Sequence, residues 1–376
     1  MQQPLCPYFG TCGGCSSQDV AYTEQLARKK SFVLEELKKN NIAVTDVSVL
    51  SADPYGYRNR MDFAFVKEGV GLRKKGRWDD IIQIKHCPIS NKKLNMLLAE
   101  VTAFAQQEAI DAFDVRTNIG TLKYAVIRTP EHGPSSISFI LNTDSPRFEE
   151  QIALVKTFAA NTTATNVVIG TVNAVTDMSV SDHIIVVKGA STLFETILGK
   201  TITYSSQAFF QNNTHMAETM VQHCKEILTH TSENTLLIDL YGGAGTFGIC
   251  LANTFSETHI IDNVQSNINC AQKNIEANKL INARATCADA KILSTYIGKN
   301  ATLIIDPPRA GLHKKVITAI NALKPKTIIY ISCNPAQMAK ELPQLINHEA
   351  KSVAVFDLFP QTPHIETIAH LELRNS

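Results

Sequence analysis

The chain has almost no net charge: 36 Lys and Arg against 35 Asp and Glu leave +1 at neutral pH. That balance excludes a protein coated evenly in basic residues, although it permits local patches. Tryptophan is nearly absent, with Trp78 the single example. No apolar run approaches the roughly 18 residues of a membrane span, and no basic segment followed by an apolar one opens the chain. Neither a span nor a secretory signal is expected, so the expected address is the cytoplasm. Internal repeats and low-complexity segments are missing as well. Disulfides are rare in a reducing compartment, so the nine cysteines need another explanation.

Three of them open the chain, in Cys6-Pro-Tyr-Phe-Gly-Thr-Cys12-Gly-Gly-Cys15. Thiolates at this spacing can wrap one metal centre, and the two glycines permit the tight turn that wrapping requires. Cys87, in Lys85-His86-Cys87-Pro88, is the best fourth ligand, because Cys-Pro recurs as the closing ligand of cluster sites. Four sulfurs suit zinc or an iron–sulfur cluster, and spacing does not separate the two. Cys224, Cys250, Cys270 and Cys287 fall in predicted helices or strands and are expected to be core thiols.

Residues 21–37 have helical spacing, stopped by Asn40-Asn41. Residues 57–65 alternate as a strand does. Between 56 and 93, ten Lys or Arg stand against four Asp or Glu, with Tyr57 and Trp78 among them. Such an excess suits contact with a nucleic-acid backbone. Residues 94–112 read as an amphipathic helix. Strand-like runs then dominate from Leu122 to Thr203, with one helix at 146–159, which predicts an antiparallel α+β domain. After Tyr204 strand and helix alternate, the pattern of a doubly wound sheet. The expected division is 1–93, 94–203 and 204–376, with the helix at 21–37 able to dock on the last segment.

That last segment carries the chemistry. Its first strand ends Leu240-Tyr241-Gly242-Gly243-Ala244-Gly245-Thr246, a turn that lets a ligand approach the backbone. The next strand ends at Asp262, 21 residues beyond Tyr241, where a carboxylate can take ribose hydroxyls. A third ends at Asp289, suitably placed for an adenine amino group. The turn lacks G-x-G-x-x-G, so S-adenosylmethionine fits better than a nicotinamide dinucleotide. A fourth strand ends Asp306-Pro307-Pro308-Arg309, a stiff turn that fixes its acid beside the cofactor. An aromatic after the two prolines would suggest methylation of an amino group. Arg309 stands there instead, and the following strand delivers a thiol, in Ser332-Cys333-Asn334-Pro335, to its carboxyl end. Carbon is therefore the expected target.

Together with YRNRMDF, QAFFQNN and FPQTPHIE, these pieces resemble the RNA uracil-5-methyltransferases, the RumA/RumB/TrmA family. The matching motifs run in order from Cys6 to Glu366, nearly the whole chain. The resemblance implies a Rossmann-like α/β methyltransferase domain preceded by a smaller α+β domain with an iron–sulfur region. It also implies a [4Fe–4S] cluster on Cys6, Cys12, Cys15 and Cys87. Gln211, Tyr241, Asp262, Asp306, Asp289 and Thr246 would line the S-adenosylmethionine pocket. Cys333 would be the nucleophile and Glu366 the base. Many relatives have Glu where Asp262 stands, which shortens the expected ribose contact. No TRAM barrel precedes Cys6, a feature most like the RumB type, so 23S ribosomal RNA is the expected substrate and transfer RNA the alternative. Phe209, Phe210 and the basic stretch from Arg73 to Arg77 are expected to stack on bases and contact phosphates.

Overall fold

The computed structural model describes residues 2–44, 46–229, 235–296 and 300–374. Its elements begin with α1 (Tyr22–Lys39), β1 (Val47–Leu50), β2 (Arg60–Val66), β3 (Gly69–Arg73), β4 (Ile81–Gln83) and α2 (Lys92–Ala105). There follow β5 (Leu122–Arg128), β6 (Ser136–Asn142), α3 (Phe148–Asn161), β7 (Asn166–Val172), β8 (Ile184–Lys188), β9 (Thr192–Ile197) and β10 (Lys200–Ser205). The remainder opens with α4 (Thr214–Thr229), β11 (Leu236–Leu240), α5 (Thr246–Leu251), β12 (Glu257–Asp262), α6 (Gln265–Ala277) and β13 (Ala283–Cys287). It closes with β14 (Ala301–Ile305), α7 (Lys314–Leu323), β15 (Thr327–Ser332), α8 (Pro335–Glu341), β16 (His348–Phe356) and β17 (Glu366–Leu373).

These elements form two compact units. The first comprises residues up to Ala21, Asp53–Glu195 and Tyr204–Thr214. Its sheet has the order β4-β3-β2-β5-β6-β7-β8. Neighbours are antiparallel except β6 and β7, which run parallel because α3 carries the chain back between them. Alternation along β2 sends Met61, Phe63 and Phe65 inward and Arg60, Asp62 and Ala64 outward. Phe65, Phe104, Phe139 and Phe158 then pack together in edge-to-face and tilted pairs, with ring centroids 5.0 to 6.5 Å apart. The boundary expected at residue 93 does not exist. β2 pairs directly with β5, Asp62 opposite Val126, so residues on both sides of that position share one sheet and one core. The basic composition of 56–93 marks an outer surface, not a separate fold.

The second unit comprises Tyr22–Ala52, Thr196–Thr203 and the chain from His215 onward. Its sheet has the order β1-β16-β17-β15-β14-β11-β12-β13. The strands β11 to β15 are parallel to one another, and β17 enters antiparallel to both β15 and β16. Every residue of β11, β14 and β15 is buried, as expected of strands covered on both faces. Helix α1 belongs to this unit, with Val33 and Leu37 in its core, and the four residues of β1 add a strand beyond β16. Strand order reverses at β11, which has β12 on one side and β14 on the other. Ligands bind outside the carboxyl ends of the strands at such a switch point.

Among the four cysteines expected in the core, Cys224 and Cys270 are buried, Cys250 is half-buried and Cys287 is exposed. Cys287 ends β13, the outermost strand, where only one neighbour covers it. No helix among the described residues is long and apolar enough to cross a membrane.

Candidate active site

At the switch point β11 runs into Tyr241, Gly243 and Gly245, all with positive φ (64°, 55° and 89°). Gly243 takes up left-handed backbone without strain, and space opens where a side chain would be. Its N–H donates to Asp262 Oδ2 at 3.0 Å. Asp262 Oδ1 accepts from the Val264 N–H at 2.8 Å and from Asn267 Nδ2 at 3.2 Å. The carboxylate thus locks the glycine turn to the end of β12. Tyr241, Asp262, Asp289, Lys291 and His313 line a cavity of about 150 Å³ there. Lys291 holds Asp289 through its backbone N–H (2.9 Å) and Nζ (3.0 Å), and these contacts keep that carboxyl below its ordinary range. Thr246 begins α5 just past the turn and does not line this cavity. Gln211 lies in the first unit, where its carbonyl accepts from Asn59 Nδ2 at 3.3 Å.

Beneath the turn sits an acid that sequence reasoning passed over. Asp239, inside the otherwise apolar strand LLIDL, is 1% exposed. Its Oδ2 accepts the Gly248 N–H at 2.8 Å, while its Oδ1 is buried with no hydrogen-bond partner among the described residues. Burial pushes its carboxyl up to about 7. A carboxylate within an apolar strand next to a glycine turn was the available signal.

The reactive edge is built by β14, β15 and β17. Asp306 follows β14, and burial followed by the charge of Asp239 pushes its carboxyl up to about 7. The turn after it is clamped by α8 at two points. Asn334 Nδ2 donates to the Arg309 carbonyl at 3.0 Å, while its Oδ1 caps the helix by accepting from the Gln337 N–H at 3.3 Å. Glu341, 2% exposed, accepts from the Leu312 N–H at 3.0 Å, from Gln337 Nε2 at 2.6 Å and from the Tyr330 hydroxyl. Cys333 immediately precedes Asn334 and is half-buried. In the antiparallel ladder of β15 and β17, Ser332 stands opposite Thr367, and Thr367 Oγ1 donates to the Ser332 carbonyl at 3.0 Å. Cys333 and Glu366 are the next residues beyond this rung on their two strands.

Both groups are perturbed. Burial raises the Cys333 thiol, Glu366 and Asp306 raise it further, and Arg309 opposes them. Glu366 is 5% exposed, and its carboxyl makes no hydrogen bond among the described residues. Burial, then the charge of Asp306, lifts it well above its ordinary value. His364 Nδ1 lies 3.4 Å from Arg309 Nη2. A half-buried thiol and a buried carboxyl therefore share one edge of the sheet.

In the first unit, Cys6, Cys12, Cys15 and Cys87 line one cavity of about 580 Å³ together with Arg58 and Arg60. Burial raises the first three thiols, Cys15 to about 11, and the charge of Cys87 raises each of them further. Four thiols thus converge on a common space. Among the described residues, however, no group of three or more His, Cys, Asp or Glu is arranged to hold a metal ion. The iron–sulfur region expected from sequence is present as a gathered donor set and not as a formed metal site. Phe210, expected to stack on a base, is instead buried against Tyr204, with rings 4.1 Å apart and parallel within 2°. Phe209 is 70% exposed.

Residues 178–374 match the family model described as tRNA (Uracil-5-)-methyltransferase. The sequence is also similar to an RNA methyltransferase of Caldanaerobacter subterraneus, 31% identical over 98% of this chain and 84% of the other. The chain belongs to the RNA uracil-5-methyltransferase family. Another relative is the tRNA (uracil(54)-C(5))-methyltransferase of Pyrococcus horikoshii, 30% identical over 97% of this chain and 85% of the other. The fold is similar to that of the Pyrococcus abyssi tRNA (uracil-54, C5)-methyltransferase in complex with S-adenosyl-L-homocysteine. That match has a TM-score of 0.80 and 27% identity and covers 95% of this chain and 85% of the other. Members of this family are S-adenosylmethionine-dependent enzymes that methylate C5 of uracil in RNA, and this chain is one of them. The ribosomal-RNA preference and the RumB assignment find no support here, since these relatives, where named for a position, are named for uracil 54 of transfer RNA.

Proposed function

We propose that this methyltransferase modifies uridine 54 of transfer RNA, with Cys333 as nucleophile and Glu366 as base. The substrate reading is supported by the names its Pyrococcus relatives carry. The mechanism is supported by one observation above all: Cys333 and Glu366 lie just past the last rung joining β15 and β17, Ser332 with Thr367, where the charge of Glu366 acts on the thiol.

C5 of uracil is a poor nucleophile. The Cys333 thiolate adds to C6, and the electron pair of the C5–C6 double bond moves through C5 onto the C4 carbonyl. C5 can then take a methyl group. S-adenosylmethionine supplies that group from its sulfonium when bound. C5 now carries both the methyl and its original hydrogen. Glu366, as carboxylate, removes that proton, the C5–C6 double bond re-forms, and the C6–S bond breaks to return the thiolate. A buried carboxylate with a raised pKa is a stronger base than a solvated one, which suits the removal of a proton from carbon. Arg309 is the nearby positive charge that favours the thiolate.

Tyr241, Asp262 and Asp289, with Asp306 at the end of the neighbouring strand, would hold the cofactor. Asp262 keeps acceptor capacity for ribose hydroxyls after its three N–H contacts, since a carboxylate offers about four lone-pair sites. Cys6, Cys12, Cys15 and Cys87 would hold a [4Fe–4S] cluster. An all-thiol donor set on one cavity fits that group, and the half-buried guanidinium of Arg58, which has no carboxylate partner among the described residues, would offset its negative charge. The cluster's contribution here is structural, because the thiolate, methyl and proton movements balance without an electron donor.

The test is methyl transfer from labelled S-adenosylmethionine to transfer RNA and to 23S ribosomal RNA transcripts, with wild type and Cys333→Ala. Label recovered as 5-methyluridine at position 54, and lost in the variant, is expected. Label in ribosomal RNA only would overturn the substrate, and label unaffected by Cys333→Ala would overturn the mechanism. The cluster has its own readout. Protein purified without oxygen should show visible thiolate-to-iron absorbance that Cys87→Ala removes.

A further inference from the structure

Glu366 is the first residue of β17, and the last residue of β16, Phe356, stands opposite it in the ladder. Residues 357–365 therefore leave the sheet and return to it at the same rung. A connection of this kind can settle in many conformations unless something outside it holds it. What holds it is one face of α1. Tyr22, Gln25 and Lys29 recur at i, i+3 and i+7, so they share a stripe of the helix.

Each of the three grips a different part of the loop. Lys29 Nζ donates to Asp357 Oδ1 at 2.6 Å and to the Phe359 carbonyl at 3.2 Å. The Tyr22 hydroxyl donates to the other carboxylate oxygen, Asp357 Oδ2, at 2.7 Å. Gln25 and Gln361 bond reciprocally, with Gln25 Nε2 donating to Gln361 Oε1 at 3.0 Å and the Gln361 N–H donating to Gln25 Oε1 at 3.2 Å. Gln361 itself has φ 68°, a left-handed backbone that a non-glycine residue keeps only when its surroundings impose it. Asp357 and Gln361 are 0% exposed, and Lys29 5%. Beyond Gln361 the chain is tied down again, where Thr362 Oγ1 donates to the Phe359 carbonyl at 2.7 Å. Glu366 follows four residues later.

A buried ion pair is weak evidence for stability, because apolar side chains of equal volume commonly serve as well or better. What Lys29 and Asp357 supply, and a pair of leucines would not, is a fixed place for the loop. We propose that Tyr22, Gln25 and Lys29 are positioning residues that act through Asp357 and Gln361 to set where the Glu366 carboxylate stands. Their contacts with the loop are made at Asp357, Phe359 and Gln361. Their influence falls on proton removal from C5, the step that follows methyl transfer, and not on attack by Cys333, whose strand and cap are built from other residues. This inference rests on the assignment of Glu366 as base.

The step ordering provides a test. If proton removal fails after methyl transfer, the C6–S bond cannot break, and enzyme and methylated RNA stay covalently joined. The experiment compares wild type, Lys29→Met, Tyr22→Phe and Glu366→Gln in a single turnover on transfer RNA tritiated at C5. It follows methyl incorporation, tritium release and the covalent protein–RNA band on a denaturing gel. Glu366→Gln should accumulate the band. Lys29→Met should do so as well, with tritium release slowed about tenfold or more while methyl incorporation changes by less than about threefold, given that a misplacement near 1 Å can cost 10²-fold. Tyr22→Phe, which removes one hydroxyl and leaves the ring, should show the same split more weakly and carries the test if Lys29→Met does not fold.

Equal loss of methyl incorporation and tritium release in the α1 variants, with no band, would overturn the proposal by making the network merely structural. Absence of the band in Glu366→Gln, with normal tritium release, would instead show that Glu366 is not the base.

Discussion

The N–H of Gly13 donates to the carbonyl of Arg73 at 3.0 Å. Two further contacts continue this seam: the Lys75 N–H donates to the Thr11 carbonyl at 2.8 Å, and the Lys85 N–H to the Tyr8 hydroxyl at 3.2 Å. The cysteine-bearing loop is thus zipped to the ribbon that carries Arg73, Lys74, Lys75, Arg77 and Trp78. A Cβ at Gly13 would stand 3.2 Å from the Arg73 carbonyl oxygen, closer than the seam accepts without movement. Gly13→Val should therefore disturb the ribbon, and Trp78, 62% exposed and the chain's single tryptophan, reports on it. Changed Trp78 quenching by acrylamide together with weaker RNA binding is expected. Unchanged quenching would show that the seam does not govern the ribbon.

Lys75 and Lys85, on the same ribbon, have no acidic partner among the described residues. If each meets a phosphate, Lys75→Ala and Lys85→Ala should weaken RNA binding evenly across sequences. Each should lower the slope of log K against log salt by about 1. Binding titrations at several salt concentrations measure this, and an unaltered slope would place the lysines away from the RNA backbone.

Cys333 reactivity should follow its charges. The charge of Arg309 lowers its pKa, against burial, Glu366 and Asp306. Arg309→Gln should raise the thiol further, so alkylation of Cys333 by iodoacetamide at pH 8 should slow several-fold. The pH at which it becomes half-maximal should move upward. Mass spectrometry identifies the labelled cysteine, and alkylation as fast as in wild type would contradict the assignment.

Asp306 predicts how stability depends on pH. Its folded pKa, about 7, lies above the ordinary value near 3.8. Between those values the unfolded chain has released this proton while the folded protein still holds it, so stability falls as pH rises. The group's contribution is complete below about pH 4 and is lost as pH climbs through 7. Asp239, also near 7, acts in the same sense. Asp306→Asn should flatten the decline in melting temperature between pH 5 and 8. A slope identical to that of wild type would mean the acid is ionised in the folded protein throughout.

Glu341→Ala should leave the Leu312 N–H, the Gln337 amide and the Tyr330 hydroxyl unsatisfied at once. Each such loss costs roughly 1–3 kcal/mol, so a fall of several degrees in melting temperature is expected. Scanning calorimetry decides, and a shift below about one degree would show that water replaces the carboxylate.

Much of the second unit was legible in the sequence because parallel strands announce themselves. Runs such as LLIDL, ATLII and TIIYIS are short, apolar and end in a residue of distinct chemistry. Tyr241, Asp262, Asp306 and Cys333 therefore fall at the strand ends where sequence reading puts them. What the sequence concealed are contacts made over distance. Lys29 and Asp357 are 328 positions apart, and neither sits in a motif that demands the other. Glu341 looks like an ordinary helical acid until the Tyr330 hydroxyl, from a fully buried ring, is seen to meet it. Phe210 reads as a stacking residue, but nothing local shows that Tyr204 already covers its face. The missing boundary at 93 has the same origin, since pairing between β2 and β5 leaves no trace in composition.

The parallel pairing of Val47–Leu50 with residues 353–356 has a consequence for how the polypeptide comes off the ribosome. The early strand emerges roughly three hundred residues before its partner, and the helix beside it waits equally long for the loop it grips. Contacts so distant in sequence form slowly, and an unpaired strand in a nascent chain invites the wrong neighbour. Residues 53–195 lie between the two and can collapse around their own aromatic core while the wait continues. Translation of β16 and of the loop after it is therefore the event that permits β1 and α1, made long before, to reach their final places.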